Sequence, residues 1–271
     1  DKKYKAGCIK SSYLLTTCWE LKMDLKLKGK GVIVTGGSKG IGLAIAQEFA
    51  REGAAVSICA RGQENLDKAR ELIETAGGTV HAKTCDVSDP VALQEYIESA
   101  VAALDGLNIL VNNPSGFGRT DDEQGWQVGL DIDLMALVRG SWAAVPHIEK
   151  AGGGALIHTS SISGLTSSLR TPPYGAVKAA VIQYTKTQAL QLANKNIRVN
   201  CIAPGSIEFP GGTWDDAKKN NPALYASIQN SIPFGRLGEP NEVAKLAVFL
   251  GSDAASWITG ETIAVDGGQM L

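Results

Sequence analysis

A chain of 271 residues with 44% hydrophobic and 20% charged residues has the make-up of one globular α/β-sized domain. Its 26 basic and 28 acidic residues leave a net charge of -2, which gives no basic field for nucleic acid or anionic lipid. No run of about 18 apolar residues exists, so no transmembrane helix is expected. The five cysteines, Cys8, Cys18, Cys59, Cys85 and Cys201, are scattered without metal-ligand spacing. Three of them fall in predicted strands, where a buried free thiol is the common case, so a reducing, cytoplasmic compartment and no metal are expected.

Residues 1–22 have neither helical nor strand periodicity, and Met23 opens MDLKLKGKGVIVTGG like a natural start. Tyr13 to Thr17 is too short an apolar run for a signal peptide, so the expectation is an expression leader or disordered extension, with the fold in 23–271. From Met23 onward strands and helices alternate. Strand Gly31 to Thr35 leads through Gly36, Gly37, Ser38, Lys39, Gly40, Ile41 and Gly42 into helix Leu43 to Ala50. Strand Ala55 to Ala60, helix Gln63 to Ala76, strand Thr79 to Cys85 and helix Val91 to Leu104, opened by Asp89-Pro90, complete the first half. The second half gives strand Leu107 to Asn113, one long helix from about Asp122 to Glu149, strand Gly154 to Ser161, helix Tyr174 to Ala193 and strand Ile197 to Ala203. A polar loop with short helices, about 206–235, precedes helix Glu239 to Leu250 and a last strand Thr262 to Val265. Right-handed crossovers make this a single-domain, Rossmann-like, doubly wound parallel sheet of about seven strands, with its ligand crevice at the carboxyl ends of the strands.

The glycine stretch lies where a strand turns into a helix N-terminus. There, free N–H groups and the helix dipole attract a pyrophosphate, and glycine lets the backbone approach it. The end of the second strand chooses the dinucleotide: an acid would bind a free ribose 2′-hydroxyl, whereas a cation accommodates a 2′-phosphate. Arg61 stands there with no carboxylate, and Lys39 in the glycine loop faces the same region, so NADP(H) is expected. Asp86, after the third strand, serves either the adenine amino group or a turn.

Tyr174 and Lys178, four apart at the start of a predicted helix, share one face a turn apart. A neighbouring ammonium favours the phenolate of a tyrosine whose pKa is otherwise about 10, which makes it a usable acid or base. Ser161 ends the preceding strand at the carboxyl edge of the sheet, placed to donate a hydrogen bond to a carbonyl.

TGGSKGIG, Asp86-Val87, NNPSG, SSISG with Ser161 thirteen residues before Tyr174, YGAVK, IRVNCIAPG and ITGETIAVDGG together resemble the short-chain dehydrogenases/reductases over Met23 to Leu271. The pattern is most similar to 3-oxoacyl-(acyl-carrier-protein) reductases and related ketone reductases. The resemblance implies that Tyr174 gives the carbonyl oxygen its proton, Lys178 binds the nicotinamide ribose and Ser161 polarises the carbonyl. It also implies that Val87 and Asn113 line the cofactor groove, and that Pro204, Gly205 and Ile207 flank the nicotinamide. By the same resemblance the long helices and last strands pair into a homotetramer.

Three departures stand out. The family's relay asparagine, seven residues after a tryptophan, falls on Asp133 when counted from Trp126. The expectation is a surviving relay with altered pH dependence, or a carboxylate that captures Lys178. The usual NNAG is Asn112-Asn113-Pro114-Ser115, and Glu208-Phe209-Pro210 stands where a carboxamide-binding threonine is common. Ser115, Phe117, Phe209 and Trp214 are the candidate substrate residues, with Tyr225 adding to an aromatic wall or anchoring a lid. Lys218 and Lys219 are offset by Asp215 and Asp216, which disfavours a basic dock for acyl carrier protein. An NADPH-dependent reductase of small ketones is therefore preferred over a 3-oxoacyl-(acyl-carrier-protein) reductase or a non-catalytic NADP-binding sensor.

Overall fold

The computed structural model describes residues 24–271, so the expectation for residues 1–22 lies outside the described residues. Strict alternation along the strands decides the layering. Val32 and Val34 of β1 (Gly31–Thr35) face one side and Ile33 the other, as do Ile109 and Val111 against Leu110 in β4 (Ile109–Asn112). Because both faces are apolar, both must be covered, which is the condition for an all-parallel sheet. One face packs on α1 (Gly40–Arg51), α2 (Gln63–Thr75) and α9 (Pro240–Gly251). The other packs on α3 (Pro90–Ala103), α5 (Ala136–Lys150) and α6 (Pro172–Leu192).

The remaining strands are β2 (Ala55–Ala60), β3 (Val80–Thr84), β5 (Gly154–Thr159), β6 (Ile197–Pro204) and β7 (Thr262–Val265). All pairings are parallel, in the spatial order β3-β2-β1-β4-β5-β6-β7. The order reverses between β1 and β4, where Thr35 is in register with Asn112, and a crevice opens beyond their ends. The predicted Asp89-Pro90 start of α3 is real: the Asp89 carboxylate accepts the N–H groups of Val91 at 2.8 Å and Ala92 at 3.2 Å.

The single long helix expected over 122–149 is divided. α4 (Glu123–Val128) passes into a π-helical segment, Gly129–Met135, before α5 begins, and no periodicity in the sequence announces the wider turn. The loop over 206–235 contains α7 (Thr213–Asn220) and α8 (Pro222–Ser231). Cys85 lies one residue past β3, but it is buried like Cys59 and Cys201, and all three thiols are free. Among the described residues no helix is long and apolar enough to cross a membrane.

Under the site end of the sheet, His158 of β5 is fully buried, with Asn112 at 3.2 Å and Gln188 at 2.9 Å. Burial is the largest influence and pushes the imidazole down to about 4. The unfolded chain takes up this proton near pH 6.5 and the folded chain only near 4, so stability falls as pH drops through that window, by about 3 kcal/mol in all. Thermal unfolding followed from pH 7 to 4 is expected to show this slope, and His158→Gln to flatten it.

Candidate active site

Side-chain hydrogen bonds tie the ends of β1 and β4 together. Thr35 Oγ1 donates to the Val111 carbonyl at 3.1 Å, and Asn113 Nδ2 donates to the Gly36 carbonyl at 3.3 Å. Gly36 takes the left-handed region at φ +68°, and a Cβ on Gly42 would stand 2.2 Å from the Gly36 oxygen. Only glycine allows this closeness of turn and helix. Ser38 and Lys39 complete the turn, and Gly40, Ile41 and Gly42 form the first turn of α1. Lys39, the N-cap residue, provides no side-chain cap, so the first N–H groups of this 12-residue helix remain available to an anion.

The Gly37 N–H donates to the Cys59 carbonyl at 3.1 Å and fastens the turn to the end of β2, just before Arg61. Lys39 and Arg61 are both exposed at this edge. Asp86 closes a turn through one oxygen, its Oδ1 accepting the Ser88 hydroxyl at 2.7 Å and the Ser88 N–H at 3.0 Å, while Oδ2 takes no part in it. Those bonds first, and the Arg61 charge more weakly, hold its carboxyl below the usual carboxylate range. Val87, next to it, is buried. Across the crevice, Pro204 ends β6, the Gly205 N–H donates to the Val265 carbonyl at 2.9 Å, and Ile207 bridges to Gly238. Gln269 grips the same turn, accepting the Ser206 N–H at 3.0 Å and donating to Ser206 Oγ at 3.1 Å.

The catalytic candidates converge where β5 meets α6. Ser161, two residues past β5, accepts the Ser163 N–H at 3.1 Å on one lone pair, and its hydroxyl can still donate. Tyr174 lies in the first turn of α6, with the Lys178 ammonium 5.6 Å from its ring centre. Burial, the largest influence, pushes the Tyr174 phenol up; Lys178 pulls it down, Asp133 pushes it up, and a hydrogen bond with Ser161 pulls it down. The net direction is upward.

Lys178 is only 1% exposed. Its Nζ donates to the Thr159 carbonyl at 2.9 Å and stands 3.0 Å from Asp133 Oδ1, a close charge contact rather than an aligned hydrogen bond. The Asp133 side chain thus reaches Lys178 directly, and its Oδ2 accepts the Gly116 N–H at 2.9 Å. Thr159 and Gly116 escaped the sequence reading because both act through the backbone, which residue type does not advertise. The position of Thr159, two before Ser161 at a strand end, was the one available signal.

The aromatic residues do not gather into one wall. Phe117, at φ +51° in a region non-glycine residues rarely occupy, sets its ring edge-on to Tyr174 at 4.8 Å, and Arg119 stacks on it at 4.6 Å. Ser115 Oγ accepts the Phe117 N–H at 3.1 Å and supports that turn. Phe209 packs instead against Gly40 and Gly212, over the glycine turn. Trp214 lies half-buried on α7. Tyr225 donates its hydroxyl to Glu208, which also accepts Lys218 at 2.8 Å, so these bonds tie α7 and α8 to the segment after β6.

A glycine turn opening onto an uncapped helix at the switch point of a parallel sheet, next to a buried lysine and a tyrosine one turn away, defines a dinucleotide-dependent oxidoreductase of the α/β class. A family model described as Enoyl-(Acyl carrier protein) reductase matches residues 36–270. The chain is 38% identical over 249 residues to Dehydrogenase/reductase SDR family member 4 of Homo sapiens, covering 89% of this chain and 88% of that one. It is also 38% identical over 251 residues to the 3-oxoacyl-[acyl-carrier-protein] reductase of Chlamydia pneumoniae, covering 91% and 99%. The L-sorbose reductase of Gluconobacter frateurii, solved with NADPH and L-sorbose, superposes with a TM-score of 0.84 at 36% identity over 92% of this chain and 99% of that one. The chain belongs to the short-chain dehydrogenase/reductase family, oxidoreductases that act on alcohol and ketone groups.

Proposed function

We propose that this chain reduces small ketones with NADPH, using Tyr174 as the proton donor. The observation that carries this reading is the convergence of Ser161, Tyr174 and Lys178 where β5 meets α6. Gly36, Ser38, Gly40, Ile41 and Gly42 would hold the pyrophosphate, Lys39 and Arg61 the 2′-phosphate, and Val87, Asn113, Pro204, Gly205 and Ile207 the rest of the dinucleotide. The uncapped start of α1, held against the turn because Gly42 carries no side chain, fits such a group. The cofactor supplies the hydride. Ser161 would orient the carbonyl by a hydrogen bond, Tyr174 would deliver a proton to its oxygen, and Lys178, with one donor on the Thr159 carbonyl and Asp133 in charge contact, would offer a remaining donor to a ribose hydroxyl.

Phe117 and Ser115 would border the substrate, with Trp214 on the lid; Phe209 lies nearer the cofactor turn. Lys218 and Lys219 are already paired, with Glu208 and Asp215, each at 2.8 Å. A basic dock for acyl carrier protein is consumed by these pairs, which favours a free small ketone. Exposed Trp142 on α5 and Leu190 on α6, together with β7 at the sheet edge, support a homotetramer built on these helices and strands. The buried free thiols support a cytoplasmic setting.

The test is NADPH consumption with a panel of ketones that includes a 3-oxoacyl thioester: small ketones are expected to be preferred, and a preference for the thioester would move the assignment to fatty-acid synthesis. Turnover of none, with NADPH still bound, would leave a sensor. Arg61→Asp is expected to raise the KM for NADPH about tenfold or more while sparing that for NADH, because it removes a bidentate phosphate partner and adds a repelling charge. Equal effects on the two cofactors would remove Arg61 from the phosphate site.

A further inference from the structure

Asp133 sits where the helix departs from the α form. The π-helical segment Gly129–Met135 carries it, and such wide turns recur at functional sites. Its side chain is buried, at 2% exposure, and both oxygens are engaged: Oδ2 with the Gly116 N–H at 2.9 Å, Oδ1 with Lys178 at 3.0 Å. An amide in this place would satisfy Gly116 equally well. What the carboxylate adds is a negative charge, in surroundings where the low dielectric makes a charge count.

Resting on the reductase reading above, we infer that Asp133 is a positioning residue that neutralises Lys178 and so sets the pH window of the reaction: carbonyl reduction persists to higher pH, and alcohol oxidation needs higher pH, than in the same site with an asparagine. The reason is electrostatic. A lone ammonium next to Tyr174 stabilises the phenolate, whereas an ammonium paired with a carboxylate presents little net charge to it. Reduction uses the protonated phenol and oxidation the phenolate, so both limbs move together.

The other groups that face the pair are few. His158 of β5 is pushed down to about 4, chiefly by burial, and Cys201 of β6 is pushed up to about 11, again chiefly by burial. Neither changes charge between those values. Arg119 stacks on the Phe117 ring and is exposed, so its field is screened. Burial works to lower Lys178, but Asp133 and Tyr174 together outweigh it and hold the ammonium above its ordinary range.

The experiment compares wild type with Asp133→Asn, and with Asp133→Ser as a parallel removal of the charge. Reductive kcat/KM is expected to lose its alkaline limb about one pH unit earlier, and oxidation of the product alcohol at neutral pH to rise about tenfold. Tyrosinate absorbance, titrated against the same protein carrying Tyr174→Phe, reads the same shift without turnover. A fall in the tyrosinate midpoint with no ketone reduced by wild type would uphold the charge pairing and overturn the reductase. Folded variants whose limbs and tyrosinate midpoint stay in place, or move upward, would overturn the inference.

Discussion

Tyr174→Phe is expected to lower kcat for ketone reduction by about 10²–10⁴-fold while leaving NADPH affinity within a factor of about two, the range typical of a lost general acid. The ring remains to keep its edge-on contact with Phe117 at 4.8 Å, so the shape of the site survives. Only the hydroxyl is removed. Stopped-flow turnover and a fluorescence titration of NADPH separate the two quantities. Equal turnover in the two proteins would assign the proton to another group, and a collapse in cofactor affinity would mean that Tyr174 builds the groove rather than acting in the reaction.

The second large effect concerns Lys178→Met. The variant keeps the length of the side chain but leaves the Asp133 carboxylate buried without its cation. Removing one partner of a buried pair costs about 3–5 kcal/mol. The surface pairs, such as Lys195 with Glu149, are exposed and screened and carry no comparable penalty. Urea unfolding is expected to show this loss, and turnover to fall as well, because the ammonium is also the proposed ribose ligand. Lys178→Met with Asp133→Asn should regain most of the stability but not the turnover, since the stranded charge is gone while the ligand is still missing. If the double variant is no more stable than Lys178→Met alone, the 3.0 Å contact is not the source of the cost.

The alternation of apolar residues in GVIVT, ILVN and GALIHT made the strands visible, because each side chain in a parallel sheet must find an apolar layer above or below. The Asp89-Pro90 start of α3 was equally legible, since a cap acts within a few residues of itself. Helix α1 begins at Gly40, three residues before its apolar pattern, because the glycines that conceal its first turn are the ones that open it to an anion. The division of the long helix at Gly129–Met135 was not legible, as a π turn depends on packing against α6 and not on local propensity.

The sequence by itself determined the family, the parallel sheet and the residues of chemical interest, because these rest on side-chain identity, spacing and period. Only the tertiary structure decided how those residues meet. It turned Asp133 toward Lys178, placed Phe117 against Tyr174 while sending Phe209 to the glycine turn, and gave Lys178 its buried carboxylate partner. These are contacts between groups distant in the chain, made by backbone carbonyls, N–H groups and buried charges. Their strength comes from burial, and burial exists only once the layers have closed.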